Sequence, residues 1–257
     1  MRGTLPVAVR RLIGLAAFLT LWEVAGRSGV VKAGVLPPAS AVLARFFGLF
    51  VDPRFVPDAA STLLSWVIAL GMAVAVGVPL GLLLGRVRPL RLVTGPVIEF
   101  LRPLPTVALI PLAMLVLGSG AQTKIALAAF ASCWPILFNT VYAVAEMDRQ
   151  LLDTARVFRT PPLRVAFAVI LPAVAPFVLT GVRLSAAVAL IVLVSTEYFA
   201  GDVGIGHFVY HWGLSTQQMD LVLAATVFTG LFGYLVNIGL LSAQRRWLPW
   251  AAAGGAV

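Results

Sequence analysis

Residues 61–85 read STLLSWVIALGMAVAVGVPLGLLLG, and none of these 25 side chains carries a charge. As a helix rising 1.5 Å per residue, the run is long enough to cross the roughly 30 Å of hydrocarbon in a bilayer. Residues 103–123, 125–145 and 221–243 are equally free of charge. Four such runs in one chain do not fit the core of a water-soluble fold, so this is an integral membrane protein. Gly71, Gly77, Gly81 and Gly85 recur at short intervals in the quoted run. Small residues let helix backbones approach closely in lipid, and these are read as packing positions.

The composition agrees. Hydrophobic residues make up 60% of the chain and charged ones 11%, against about 25% charged in an ordinary soluble domain. The net charge of +9 would fit a nucleic-acid binder, but its distribution points elsewhere. Arg2, Arg10 and Arg11 precede the first apolar segment, Arg86, Arg88 and Arg91 lie between the second and third, and Arg149, Arg156, Arg159 and Arg164 between the fourth and fifth. Arg245 and Arg246 follow the last. In the other gaps, Arg27, Lys32, Arg45, Arg54 and Lys124 are offset by Asp52, Asp58, Glu197, Asp202 and Asp220. This alternation is the positive-inside pattern, which puts both termini in the cytoplasm and the arginines beside anionic lipid. No nucleic-acid role is expected.

Six spans follow: 12–26, 62–85, 97–117, 125–145, 173–196 and 221–243. They are read as helices, because an isolated span must satisfy its own backbone hydrogen bonds. The fold class is therefore all-α and polytopic, a single transmembrane domain over 1–257. The basic start and short apolar run at the N-terminus resemble a secretory signal, but no A-x-A site follows, and a retained first span is expected. Pro37-Pro38 and Ser40 open a short apolar segment, read as an amphipathic helix lying on the outer surface. Cys133 is the single cysteine, which excludes an intrachain disulfide.

Catalytic motifs are missing. Lys32 and Lys124 are the only lysines, and neither belongs to a phosphate-binding G-x-x-x-x-G-K-[ST] loop. His207 and His211 have the spacing of a zinc-binding H-E-x-x-H helix, but Phe-Val-Tyr stands between them and no general-base glutamate is present. No metal site, no resident cofactor and no enzymatic activity are expected. The rival reading is an intramembrane enzyme built on His207, His211 and Glu197; another is a non-transporting membrane scaffold.

Residues 151–172, LLDTARVFRTPPLRVAFAVILP, stand out as a polar insert between apolar runs. A short helix with Leu151, Leu152, Ala155 and Phe158 on one side is expected. Thr160 would cap a second helix with Pro161 at its first position, where the missing N–H costs nothing, and Pro172 would mark entry to the fifth span. Such a knob suits docking into a groove on a soluble partner.

This stretch resembles the cytoplasmic motif of the inner-membrane permeases of ATP-binding-cassette importers: E-A-A, three residues, G, nine residues, I-x-L-P. The matching positions are Asp153-Thr154-Ala155, Arg159 and Val169-Ile170-Leu171-Pro172. Further stretches, among them LPPASAVLARF, FLRPLPTVALIPLAML and ILPAVAPFVLTGVRLSAAVAL, look like the branch serving nitrate, taurine and alkanesulfonate uptake. The resemblance implies a type I importer permease with six spans in the bacterial inner membrane. It also implies a symmetric pair of permeases, ATPase subunits that bind ATP and magnesium, and an extracytoplasmic solute-binding protein. Asp153, Thr154, Ala155, Arg156, Arg159, Leu171 and Pro172 would then meet the ATPase. Arg159 departs from the family glycine, which normally takes a left-handed turn. A non-glycine residue adopts that turn at a cost of about 1 kcal/mol or more, so the same knob with a different hinge, at Thr160-Pro161-Pro162, is expected. The solute stays open among sulfonates, taurine, nitrate and neutral heterocycles such as vitamin precursors.

Three residues are candidates for the solute path. Arg183 lies 11 residues past Pro172, roughly 16 Å into the membrane, where a cation is a functional suspect by default. It would attract an anion, pair with Glu99, or snorkel. Glu99 and Arg102 can pair at i, i+3, and Pro103 and Pro105 predict an interruption of the third span. The segment 197–220 would either meet the binding protein or plug the outer mouth.

Overall fold

A computed structural model describes residues 7–29 and 34–250; Arg2 and Lys32 lie outside it. Its elements are helical throughout, with no strand among the described residues. In chain order they are α1 Val7–Arg27, α2 Ala39–Leu49, α3 Phe55–Arg86, α4 Arg88–Leu101, α5 Ile110–Leu117, α6 Ala121–Ala145, α7 Arg149–Val157, α8 Pro162–Val165, α9 Leu171–Ala200, α10 Ile205–Phe208 and α11 Met219–Trp247. Helices α3, α6, α9 (extended back to Pro162) and α11 are each long and apolar enough to cross a membrane.

The centre of the bundle is α6, packed between α3 and α9. Gly77, Gly81 and Gly85, four residues apart, lie against Ile136, Thr140 and Val144, also four apart. A Cβ at Gly81 would stand 2.5 Å from that of Thr140, and one at Gly85 2.6 Å from that of Val144. The expected glycine packing is therefore real for these three. Gly71 has nothing within 4 Å of its missing Cβ: six residues before Gly77 is the wrong interval for the same helix face.

The third span is not one straight helix. Helix α4 stops at Leu101, Pro105 precedes a 3-10 turn at Thr106–Leu109, and α5 resumes at Ile110. The two halves meet at 81°, a bend seated at the interruption expected from Pro103 and Pro105. Counting that pair as one span gives five. The expected first span lies within α1, whose Leu12, Phe18 and Leu21 are exposed. Arg10 and Arg11 near one end and Glu23 and Arg27 near the other leave it without the long uncharged stretch of the other spans. Helix α2 packs on α11, burying Val42, Phe46 and Leu49 in one cluster with Phe55, Phe208 and Leu221.

Candidate functional site

The insert at one end of α9 folds as a two-legged hinge. Asp148 caps α7, its carboxylate accepting from the Gln150 N–H at 2.9 Å, as a capping residue does. At the other end of α7, the Thr160 N–H donates to the Ala155 carbonyl and the Arg159 N–H to that of Arg156. Arg159 sits at φ 48°, so it keeps the left-handed turn itself. The expectation of a different hinge is thus corrected: the arginine absorbs the strain, and the two prolines follow it. Pro161, not Thr160, precedes the second leg, and Pro162 takes its first position. Pro172 falls in the first turn of α9, the entry to the fifth span expected there. The helix nonetheless extends back to Pro162, through a π-turn at Ala166–Ile170 that ends two residues before Pro172.

The apolar residues of this hinge do not share one covered side. Ala155 is buried and Leu152 half-buried, while Val157 is 80% exposed, Phe158 77% and Leu163 74%. Asp153 and Arg156 pair with each other at 2.7 Å, both exposed. Leu151, Ala155, Phe158, Arg159 and Arg164 line a shallow groove between the two legs. The turn therefore presents an apolar tip ringed by arginines, a surface suited to a complementary protein cleft.

The three candidates for the solute path part company. Arg102 lies just past the end of α4 and its guanidinium stacks over Phe138, 4.5 Å from the ring centroid. It forms no ion pair with Glu99: its backbone is still helical at that point, but the guanidinium is turned to the Phe138 ring instead. Arg102 lines a groove of about 610 Å³ with Thr106, Trp134, Asn139 and Tyr142. One wall is an aromatic ladder on α6, where Trp134, Phe138 and Tyr142 follow one another at four-residue steps. Arg183 points into a separate cavity of about 230 Å³ between α3, α9 and α11. Its Nε and Nη2 both donate to Asn237 Oδ1 at 3.2 Å, so its partner is a neutral amide and not Glu99. Glu99 is exposed on α4 and lines neither recess.

A charged network at the other end of α9 was not anticipated. Lys124 Nζ and Glu197 Oε1 lie 2.7 Å apart, with side chains 4% and 0% exposed. Thr62 donates to the same carboxylate, and Lys124 also reaches Ser61 Oγ and the Val203 carbonyl. Three successive N–H groups at the start of α10 close the network: Gly204 to Asp58, Ile205 to Thr62, Gly206 to Glu197. Helices α3, α6 and α9 thereby hold the 201–218 segment, which is mostly helical and packed rather than a loose loop. Nearby, Arg54 stacks on Trp212, and its hydrogen bond to Asp52 holds that carboxyl below the usual carboxylate range. His207 and His211 stack on each other, and His207 Nδ1 stands 3.7 Å from Asp58. With Glu197 committed to Lys124, the reactive cluster of the enzyme reading does not assemble. No group of three metal-ligating side chains occurs among the described residues.

The family described as "Binding-protein-dependent transport system inner membrane component" matches residues 77–249. This chain belongs to that family. It is 30% identical to the taurine transport system permease protein TauC of Escherichia coli (strain K12), with 92% of this chain and 87% of that protein covered. It is 27% identical to the bicarbonate transport system permease protein CmpB of Synechocystis sp. (strain ATCC 27184 / PCC 6803 / Kazusa), covering 93% and 88%. The putative aliphatic sulfonates transport permease protein SsuC of Bacillus subtilis (strain 168) is also 27% identical, at 91% and 85%. Among solved structures, a chain of the inward-facing MetNI methionine ABC transporter superimposes with a TM-score of 0.66 at 18% identity, covering 75% of this chain and 95% of that one. A chain of a bacterial alginate ABC transporter also gives 0.66, at 14% identity and 95% and 92% coverage. The fold is that of ABC-importer membrane subunits. Members of this family are transport permeases, so the enzyme reading falls on this ground as well.

Proposed function

We propose that this chain is the permease subunit of an ATP-driven importer of a small anionic solute. In this reading it forms one transmembrane domain, pairs with a second permease, and works with separate ATPase subunits and an extracytoplasmic binding protein. The 146–172 segment and both termini face the cytoplasm. Closure of the ATPase pair pushes on the α7–α8 hinge, and α9, continuous from Pro162, carries the push into the bundle. The observation that carries this reading is the hinge itself: a rigid, capped turn that leaves Val157, Phe158 and Leu163 in solvent, at the positions of the importer motif.

The anionic class is supported by the taurine, bicarbonate and sulfonate relatives and by two cations in recesses between spans. Arg102 is favoured over Arg183 as the solute contact, because its groove opens at the exposed rim formed by Val107, Tyr142 and Leu184, where a second permease would close it. The test is uptake of labelled taurine, alkanesulfonate, bicarbonate and nitrate into vesicles holding this chain, its ATPase and its binding protein. One of these anions should accumulate only with ATP and all three components, and Arg102→Gln should abolish most of that uptake. Uptake without ATPase, or accumulation of only neutral solutes, would overturn the reading.

A further inference from the structure

Three arginines at the α3–α4 corner have no counter-charge. Arg86 ends α3, Arg88 begins α4 and Arg91 follows within the next turn. Among the described residues none of the three guanidinium groups has a hydrogen-bond or ion-pair partner. Together with Arg156 of α7, they line one recess of about 660 Å³. Arg156 differs in being paired with Asp153. The lining also has an apolar part: Leu82 from α3, one turn before Arg86, and Phe167 and Leu171 from the hinge and α9. Phe167 is 69% exposed there.

Gathering three cations without counter-charges in one place leaves a mutual repulsion, screened by solvent at the exposed Arg86 and Arg88 and less so at the half-buried Arg91. A bound anion relieves that. The shape narrows the choice, because a free inorganic anion would leave the apolar part and most of the volume uncovered. A molecule with a phosphodiester at one end and hydrocarbon at the other meets both halves. The recess also lies where membrane-crossing helices emerge, and basic pockets between such helices are suited to acidic lipid headgroups.

We propose that this recess binds the headgroup of an anionic glycerophospholipid, with its phosphodiester held by Arg86, Arg88 and Arg91 and its glycerol and upper acyl carbons against Leu82, Phe167 and Leu171. The bound lipid bridges the α3–α4 corner and the α7–α8 hinge, so it stiffens the segment that Proposed function assigns to the ATPase. The site depends on α3 and α9 crossing a membrane and not on the solute, so it stands or falls apart from the transport reading.

The test is thermal unfolding of the full chain in a neutral detergent, titrated with phosphatidylglycerol, phosphatidylcholine or inorganic phosphate, and repeated with the ATPase subunits bound. Phosphatidylglycerol should raise the unfolding midpoint saturably in both cases, and the other two should not. Each arginine contributes about five-fold to affinity, so R86Q/R88Q/R91Q should weaken the effect by about 100-fold and R88Q alone by about five-fold. R245Q/R246Q, at the end of α11, should leave it unchanged. If the triple variant fails to fold, R88Q decides. Equal stabilisation by phosphatidylcholine, stabilisation by phosphate alone, an equal loss in R245Q/R246Q, or loss of the effect once the ATPase is bound would each overturn the proposal.

Discussion

Lys124 and Glu197 face each other at 2.7 Å in the interior of the bundle, where each is tolerable only because of the other. A buried charge that loses its partner is left unpaired at a cost of about 3–5 kcal/mol, whereas replacing both partners by apolar groups is often nearly neutral. Lys124→Met and Glu197→Met should therefore each lower the unfolding midpoint of the detergent-solubilised chain strongly. The double variant should recover a large part of the loss. A double variant as unstable as the sum of the singles would mean the two residues act separately. None of this is visible in sequence. Both residues sit at the edge of an apolar run, where a charge reads as interfacial, and Lys124 and Glu197 are 73 positions apart. Arg159 is the reverse case: its position was legible from the importer motif, but the sequence alone favoured moving the turn onto the prolines. The chain keeps the left-handed residue instead, because the Thr160 and Arg159 N–H groups close the helix end only in that geometry.

At the scale of elements, the α3–α6 contact depends on the absence of side chains. Gly81→Leu must displace Thr140 or separate the helices, since even a Cβ would lie 2.5 Å from it. Overpacking of that kind costs about 1–3 kcal/mol or more, and the yield of folded protein should fall sharply. Gly71→Ala meets nothing within 4 Å and should be neutral or stabilising by up to about 1 kcal/mol through helix propensity. Equal damage at both positions, read by size-exclusion profile and thermal midpoint, would contradict the packing described. The hinge gives a second comparison. Arg159→Gly should preserve the α7 end, while Arg159→Val, β-branched and ill-suited to φ 48°, should expose 155–162 to protease. Equal resistance in the two variants would mean that the turn does not constrain this segment. Span positions were readable from uncharged runs because bilayer thickness fixes their length. The 81° bend was not: prolines announce a break but do not set its angle, which comes from packing of α5 and the 3-10 turn on α6 and α9.

For the whole molecule, the central claim is that work done elsewhere enters through the α7–α8 turn and leaves through α9. The hinge is held at Ala155, stiffened by Asp148 and continuous with a helix reaching to the Lys124–Glu197 network at the far end. One continuous helix thus joins the exposed tip to the 201–218 segment held at its far end. The most direct measurement places a cysteine at Phe158 in a Cys133→Ser background and cross-links it, in vesicles, to the ATPase subunit that drives uptake. The account expects an efficient, position-specific cross-link that blocks ATP-driven accumulation and is restored with it on reduction. Labelling of that cysteine from the opposite side of the membrane, or uptake that proceeds with no cross-link ever forming, would contradict it.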